Sequence, residues 1–424
     1  MNTTIVQPPR GGTVAAIASK SHAHRALIAA ALADGSTQIT CGETNADILA
    51  TAQCLTALGA RIAYTDCVFT VIPVSQPIGR DARTLDCGES GSTLRFLLPV
   101  ACALGANASL AMHARLPKRP LSPLYEELAA HSCTLSPQGS SPLTVSGQLA
   151  GGTYPIAGNV SSQFVTGLLL ALPLLKEDSR VQVNGALESR PYVDITLQTL
   201  VDFGIEITER DGGFIIRGGQ RFRSPGALTV EGDWSNAACW LALGAIGRES
   251  VTVTGLNPQS PQGDKTFLDH LIRFGAKVSV SGSSVTVTGG ALRGIDADAS
   301  ATPDLVPMIA AVALAAKGST RIGNAARLRL KESDRLSVIA RTLRAFGAQI
   351  EETPDGLVIE GGHSLRGARV SSENDHRIAM MAAVASALCD GGVTVGGADA
   401  VNKSYPRFFD DLRTLGGKTR EELP

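Results

Sequence analysis

The sequence states one pattern six times, at intervals of about 70 residues, and a repeat of that length confines a chain to like supersecondary units that bury each other's apolar faces. Each unit opens with a helix of small apolar residues, turns at Gly or Asp, runs a short β-branched strand, makes a second helix and closes with two more strands. The turns carry the phase: Ala33-Asp34-Gly35-Ser36-Thr37, Leu104-Gly105-Ala106-Asn107, Lys176-Glu177-Asp178-Ser179, Ile246-Gly247-Arg248-Glu249-Ser250, Ala316-Lys317-Gly318-Ser319-Thr320 and Cys389-Asp390-Gly391-Gly392. The second helices end alike, in Leu58-Gly59-Ala60, Phe203-Gly204-Ile205, Phe274-Gly275-Ala276, Phe346-Gly347-Ala348 and Leu415-Gly416-Gly417, where a glycine can take the left-handed cap. Unit two departs from this, reading Leu128-Ala129-Ala130-His131-Ser132-Cys133. At 424 residues the chain exceeds one ordinary core, so two domains are expected.

Charge narrows the function. Lys and Arg number 38 against 39 Asp and Glu, a balance that argues against a general nucleic-acid or membrane-surface binder, because those need a summed basic field. An anionic ligand must then be met by locally gathered cations. The 8 cysteines (Cys41, Cys54, Cys67, Cys87, Cys102, Cys133, Cys239, Cys389) form no CxxC pair and no metal-ligand spacing with His. They read as mostly reduced, buried, small apolar residues of a cytoplasmic protein. Residues 1–10 show no basic segment followed by an apolar one, so no signal peptide is expected. Apolar stretches such as residues 164–175 are too short to span a bilayer.

One slot of the repeat is consistently polar. Before each first helix stand Ser19-Lys20-Ser21 with Arg25, Glu89-Ser90-Gly91-Ser92 with Arg95, Ser161-Ser162-Gln163, Asp233-Trp234-Ser235-Asn236, Thr302-Pro303-Asp304, and Asn374-Asp375-His376-Arg377. Helix capping accounts for the Ser, Thr, Asp and Asn, and for Asp233 and its neighbours it suffices. It does not account for Lys20, Arg25, Arg95 and Arg377, since a helix dipole disfavours cations at the N-terminus. The second helices add Lys118-Arg119-Pro120, Arg190-Pro191-Tyr192, Lys331-Glu332-Ser333-Asp334-Arg335 and Lys403-Ser404-Tyr405-Pro406. Cations gathered there predict an anion site that uses free amides and guanidinium forks together. If the helices of each domain run parallel, their N-termini converge on one face, and two such faces would enclose a cleft.

The ordered motifs resemble those of the EPSP synthases, the 3-phosphoshikimate 1-carboxyvinyltransferases. Ser19-Lys20-Ser21 with Arg25 is similar to the family's first signature, and residues 89–95, ESGSTLR, to its N-x-G-T-x-x-R loop. Leu116-Pro117-Lys118-Arg119-Pro120, Val160-Ser161-Ser162-Gln163-Phe164, Ser189-Arg190-Pro191-Tyr192, Pro303-Asp304, Lys331-Glu332-Ser333-Asp334-Arg335, Asn374-Asp375-His376-Arg377 and Lys403 follow in order over nearly the full length. The resemblance implies an α/β fold (α+β by some schemes): a two-domain inside-out α/β barrel of β-α-β-α-β-β units, three per domain. By analogy the chain crosses near Ala18-Ser19 and Gly232-Asp233, giving one domain over residues 19–232 and another from residues 1–18 with 233–424.

The implied reaction transfers the enolpyruvyl group of phosphoenolpyruvate to the 5-hydroxyl of shikimate 3-phosphate, with release of phosphate. The implied substrates carry two phosphates and two carboxylates, whose repulsion in a dry cleft needs many cations to offset it. Carried over by position, Ser161, Ser162, Gln163 and Ser189 meet the shikimate phosphate, Ser21 and Arg25 its carboxylate, and Tyr192, Lys20, Asp304 and Lys331 complete that pocket. Lys20, Gly91, Arg119 and Gln163 clamp the phosphate of phosphoenolpyruvate; Arg335, Arg377, Lys403 and, beside them, His376 meet its carboxylate. Addition and elimination need a base near the hydroxyl and an acid near the methylene. Asp304 is the expected base, with Glu332 and Lys20 sharing the methylene proton. Without the resemblance, Asp304 is a first-turn carboxylate after Pro303 and Glu332 an i,i+3 partner of Arg335.

No metal or organic cofactor is expected, the protein's cations taking that part, and a monomer that closes on shikimate 3-phosphate is the working expectation. His22 and His24 match no functional position and read as solvated first-turn residues. Three positions depart from the family pattern: Arg327 where many members have Asn, Glu89 for the loop Asn, and Phe96 where many have Pro. The sister enzymes that use UDP-N-acetylglucosamine share the fold, but commonly carry a loop cysteine that residues 111–117 lack. A non-catalytic anion-binding repeat protein is the other alternative, and it would have no use for Asp304 and Glu332 among the cations.

Overall fold

The computed structural model describes residues 1–75 and 81–422. The chain forms two compact units, Met1–Ile17 with Glu231–Pro424, and Ala18–Val230, each around its own hydrophobic core. Among the described residues there are six four-stranded sheets of one design, three per unit, and a short two-stranded ladder. The sheet of strands Arg83–Asp86, Ala108–Ala111, Leu143–Gly147 and Cys133–Leu135 shows it. The first two strands are parallel with the helix Gly91–Ala103 crossing between them, and the last two add an antiparallel hairpin. This is the β-α-β-α-β-β unit that the turns and glycines mark in the sequence.

The first helix of each unit is buried on nearly all sides. All thirteen residues of Trp234–Ile246 are buried, as are the last ten of Lys20–Leu32, which explains why these helices are rich in Ala, Leu and Ile rather than amphipathic. Second helices bury only one face; in Phe267–Phe274 it is Phe267, His270, Leu271 and Phe274. Apolar helices thus lie inside and sheets outside. In the unit of residues 1–17 and 231–424 the helices Trp234–Ile246, Val306–Ala315 and His376–Ala385 pack mutually. In the unit Ala18–Val230 the helix Gly91–Ala103 lies against Ser162–Ala171 so closely that a Cβ on Gly167 would stand 2.2 Å from the Arg95 carbonyl oxygen.

At three places strand pairing departs from sequence order. Gly12–Ala15 precedes the helix Lys20–Leu32 yet runs parallel to Val251–Thr254, while Ala227–Thr229 precedes Trp234–Ile246 yet runs parallel to Thr37–Thr40. The chain leaves and re-enters each unit there, and each strand completes a sheet begun far away in sequence. Strand Asn2–Gln7 lies antiparallel between Val393–Gly396 and Lys418–Glu422, so the N-terminus supplies the inner strand of the last unit. Unit two lacks the usual glycine after its second helix, and Ser132 takes the left-handed conformation in its place, at φ 73°.

Candidate functional site

Within Ala18–Val230 the polar slots bring their side chains to helix N-termini. Ser19 caps the helix Lys20–Leu32, Ser90 caps Gly91–Ala103 and Ser161 caps Ser162–Ala171, each accepting from a first-turn amide. Ser189 precedes the helix Arg190–Asp202 in the left-handed conformation, at φ 55°, an uncommon setting for a residue with a Cβ. Helices Ser162–Ala171 and Arg190–Asp202 are neighbours. Ser161 and Ser162 stand at the start of the first of these helices, Ser189 and Tyr192 at the start of the second.

Three cations of this unit differ in how they are held. Lys20 Nζ donates to Asp47 Oδ2 at 2.8 Å. Arg25 is buried and donates to neutral oxygens only: Thr196 Oγ1 at 2.7 Å, the Ser21 carbonyl at 2.5 Å, the Tyr192 carbonyl at 2.8 Å and Thr166 Oγ1 at 3.3 Å. Its guanidinium lies 4.9 Å from the centre of the Phe96 ring, so the Phe that departs from the family pattern has a packing role. Burial pulls the Arg25 pKa down to about 9, with Tyr192 opposing, and the group stays charged at neutral pH. Arg95 donates to Gln163 Oε1 at 2.7 Å and to the Pro120 carbonyl at 2.9 Å. Gln163 in turn donates to Ser92 Oγ at 3.0 Å, which fixes its amide orientation. A Cβ on Gly91 would stand 2.8 Å from Arg119 Nη1 and 3.0 Å from Arg95 Nη1, so only glycine lets these guanidiniums reach the helix start. Gly91, Arg95, Arg119 and Gln163 are therefore one cluster.

Within residues 1–17 and 231–424 a second cluster forms around Arg335. This buried guanidinium donates to Asp375 from Nε (2.8 Å) and Nη2 (3.2 Å), to Asp304 from Nη1 (2.9 Å) and to Glu332 from Nη2 (2.7 Å). Lys331 Nζ and Arg377 Nη2 lie 3.4 and 3.7 Å from the Asp304 carboxylate. Burial pushes the Asp304 carboxyl up, but Lys331, Arg377 and Arg335 together outweigh it and hold the group well below the ordinary carboxylate range, against an opposing push from Glu332. For Arg335 burial works against the charge, and Asp375, Glu332 and Asp304 more than restore it.

Arg377 donates to the Ser235 carbonyl at 2.8 Å and to Ser235 Oγ at 2.5 Å. Asp375 caps its helix, accepting from the Arg377 amide at 3.0 Å, and also accepts from Ser333 Oγ at 3.0 Å. Glu373 and Asn374, just before this cap, are both left-handed, at φ 51° and 58°, and Lys403 Nζ donates to the Asn374 carbonyl at 2.5 Å. Two successive strained residues beside a charged cluster mark a backbone held in place by its surroundings. His376 is buried at the start of the same helix.

The structure corrects several expectations. His24 is fully buried rather than solvated, and its Nδ1 lies 2.7 Å from Thr51 Oγ1; only His22 is half exposed. Capping does not exhaust the role of the residues around Asp233: Asp233 does accept from the Asn236 amide at 2.8 Å, but Ser235 also holds Arg377. Arg190 is spent on Glu209, in a two-pronged pair at 2.6 and 2.8 Å, and on Asp194, so it is not one of the gathered cations. Cys67 is exposed and Cys389 partly so, unlike the other cysteines. Arg327 donates to the Ser300 carbonyl at 2.7 Å. The simple partners foreseen for the two carboxylates are present as well: Asp304 sits in the turn Pro303–Leu305, and Glu332 pairs with Arg335 at i,i+3. In sequence Asp375 stands in a polar helix-start cluster, because a capping acid looks the same whether or not a cation sits on it, and Asp47, in the first turn of Ala46–Leu58, lies outside every cluster singled out there.

Comparison with known proteins gives a single direction. The sequence pattern of the EPSP synthase family (3-phosphoshikimate 1-carboxyvinyltransferase) matches residues 7–412. A 3-phosphoshikimate 1-carboxyvinyltransferase from Clostridium kluyveri is 40% identical over 413 residues, covering 95% of this chain and 94% of that protein. One from Clostridium perfringens is 40% identical over 428 residues, covering both chains in full. Among solved structures, EPSP synthase from Acinetobacter baumannii superposes with a TM-score of 0.82 at 25% identity, covering 99% of this chain and 100% of that one.

Proposed function

We propose a division of labour between the two clusters in a chain that belongs to the EPSP synthase family. The chain transfers the enolpyruvyl group of phosphoenolpyruvate to the 5-hydroxyl of shikimate 3-phosphate, releasing phosphate, in aromatic amino acid biosynthesis. In the unit Ala18–Val230, Ser161, Ser162, Gln163 and Ser189 bind the shikimate phosphate, with Tyr192 beside them. Ser21 and Arg25 bind its carboxylate. Support comes from Arg25, a buried charge whose hydrogen-bond partners are all neutral, so an incoming carboxylate gains a full charge-assisted pair. Lys20, Gly91, Arg119 and Gln163 hold the phosphate of phosphoenolpyruvate, and Arg95, which ties Gln163 to the chain at Pro120, sets the width of that clamp.

In the other unit, Arg335, Arg377 and Lys403, with His376 adjoining, take the carboxylate of phosphoenolpyruvate, while Asp304 and Lys331 face the shikimate hydroxyls. The observation that carries this reading is the convergence of Asp304 and Glu332 on the same buried guanidinium, with Lys331 and Arg377 against Asp304. Three cations make the free Asp304 a weak base. A substrate carboxylate arriving at Arg335 and Arg377 competes for those cations, raises the proton affinity of Asp304 and Glu332, and so prepares one to take the hydroxyl proton and the other to serve the methylene. Lys20 shares the second task. Loss of a proton from the resulting methyl group, together with phosphate, then forms the enol ether of the product. One copy of the chain in the cytoplasm suffices for this reading; every proposed group belongs to it, and no described helix is long and apolar enough to cross a membrane.

The test is release of phosphate from phosphoenolpyruvate by the purified chain. It should occur only with shikimate 3-phosphate present. Release with UDP-N-acetylglucosamine instead would move the chain to the sister activity, and release with neither would leave an anion-binding repeat protein.

A further inference from the structure

The buried His24, which no step above uses, begins a chain of hydrogen bonds through the unit Ala18–Val230. Its Nδ1 lies 2.7 Å from Thr51 Oγ1, Thr51 Oγ1 lies 2.7 Å from Thr93 Oγ1, and Thr93 Oγ1 donates to Ser90 Oγ at 2.8 Å, with the Asp47 carbonyl also in reach at 3.4 Å. His24, Thr51 and Thr93 are 0% exposed and Ser90 1%. The proton order in this chain follows from its far end. The Asp47 carbonyl can only accept, and the Thr93 hydroxyl is placed as donor to Ser90 Oγ, so it spends its proton outward. Thr93 must then accept from Thr51, and Thr51 from His24. His24 is therefore the neutral tautomer with its proton on Nδ1, which agrees with Nε2 being buried with no hydrogen-bond partner. Burial, then Lys20 and Arg25, press its pKa well below the ordinary histidine value.

Each end of the relay touches a residue with a proposed role. His24 sits on the helix that carries Lys20, Ser21 and Arg25. Thr51 sits on the helix Ala46–Leu58, whose Asp47 holds Lys20 Nζ. Thr93 and Ser90 form the first turn and cap of the helix that starts at Gly91. We propose that His24, Thr51 and Thr93 are positioning residues for the phosphate end of phosphoenolpyruvate, locking the spacing between Lys20 and the Gly91 amide through one buried, singly ordered relay. The proposal rests on the reading in which Lys20 and Gly91 hold that phosphate. No hydrogen bond of the relay involves Ser161, Ser162 or Ser189, so its loss should fall on one substrate and not the other.

Thr51→Val removes the central hydroxyl at nearly constant shape, while Thr51→Ser keeps it. One lost hydrogen bond in a buried network predicts that Thr51→Val raises KM for phosphoenolpyruvate about tenfold. KM for shikimate 3-phosphate should stay within about twofold, and Thr51→Ser should restore the native value. A Thr51→Val enzyme with both constants unchanged, or with both raised alike, overturns the proposal. So does failure of Thr51→Ser to rescue. Gly91→Ala in the same assay separates this outcome from failure of the phosphate reading: if Gly91→Ala raises KM for phosphoenolpyruvate and Thr51→Val does not, the relay alone is wrong, and if neither does, the phosphate reading is wrong. Nitrogen-15 NMR of the unaltered chain gives a check that needs no variant. It should show His24 protonated at Nδ1 and unprotonated at Nε2, and the reverse tautomer would overturn the relay.

Discussion

Asp304 shows how little of a residue's chemistry lies in its own identity. Its carboxylate stands between Arg335, Lys331 and Arg377, and a proton on it would forfeit all three attractions. Asp304→Asn keeps the shape and removes the proton acceptor, so turnover should fall by about 10²–10⁴ while shikimate 3-phosphate still binds. Glu332→Gln should behave likewise. Rapid-quench measurement of the chemical step beside calorimetric binding separates the two effects, and near-native turnover in either variant would end the acid/base assignment. The same geometry fixes a pH dependence. The Asp304 pKa is lower folded than unfolded, so the group contributes stability above the ordinary carboxylate value, and this is lost as pH falls through the folded value. Urea midpoints of native and Asp304→Asn protein should thus converge as pH drops below about 4. At this scale the sequence was partly legible. Asp304, Glu332 and Arg335 stand in recognisable motifs, whereas Asp375 is masked by the capping it also performs, and Asp47, a first-turn acid of Ala46–Leu58, stands outside every motif. His24 matches no functional position and so reads as a solvated first-turn residue, and only the fold reveals that its helix is buried on almost every side.

At the scale of elements, two of the cations at helix starts are tolerated against the dipole because carboxylates meet them: Asp47 for Lys20, and Asp375, Asp304 and Glu332 for Arg335. Glycine sets the other spacing. At Gly91 a Cβ would press on Arg119 and Arg95, side chains that can shift, so Gly91→Ala should fold normally and raise KM for phosphoenolpyruvate. At Gly167 the Cβ would meet the Arg95 backbone at 2.2 Å, and backbone cannot step aside. Gly167→Ala should therefore cost about 1–3 kcal/mol of stability through forced separation of helices Gly91–Ala103 and Ser162–Ala171. Denaturant unfolding measures it, and a neutral result would show that the helices are free to part. The turns and cap glycines announced most of these elements, because both are local demands on φ and ψ. Strand partners were harder to read. Gly12–Ala15 and Val251–Thr254 are separated by most of the chain, and nothing in either segment names the other.

For the whole molecule, the consequence of that long-range pairing is that one of the two units is not closed by a continuous stretch of sequence. The unit Ala18–Val230 is complete within its own residues, since Ala227–Thr229 returns to pair with Thr37–Thr40. The other unit depends on Met1–Ile17. Strand Asn2–Gln7 fills an inner position of its sheet, buries Ile5 in the core and gives both Val393–Gly396 and Lys418–Glu422 their antiparallel partner. Without it Val393–Gly396 keeps only the parallel strand Arg369–Ser371, and Lys418–Glu422 loses its ladder altogether. Deleting Asn2–Gln7 should destabilise this unit by at least about 3 kcal/mol, from one buried Ile side chain and a double set of ladder bonds. The loss should be confined. Hydrogen exchange in the deletion variant should accelerate in the strands Val393–Gly396 and Lys418–Glu422 and in the helix His376–Ala385 packed on the first of them, while amides of Lys20–Leu32 and Gly91–Ala103 keep native protection. The same variant should lose catalysis, because Asp304, Glu332, Arg335 and Arg377 all lie in the weakened unit. Uniform acceleration across both units would show that they unfold as one cooperative body. Unchanged exchange near Val393 would show that the N-terminal strand does not hold the sheet.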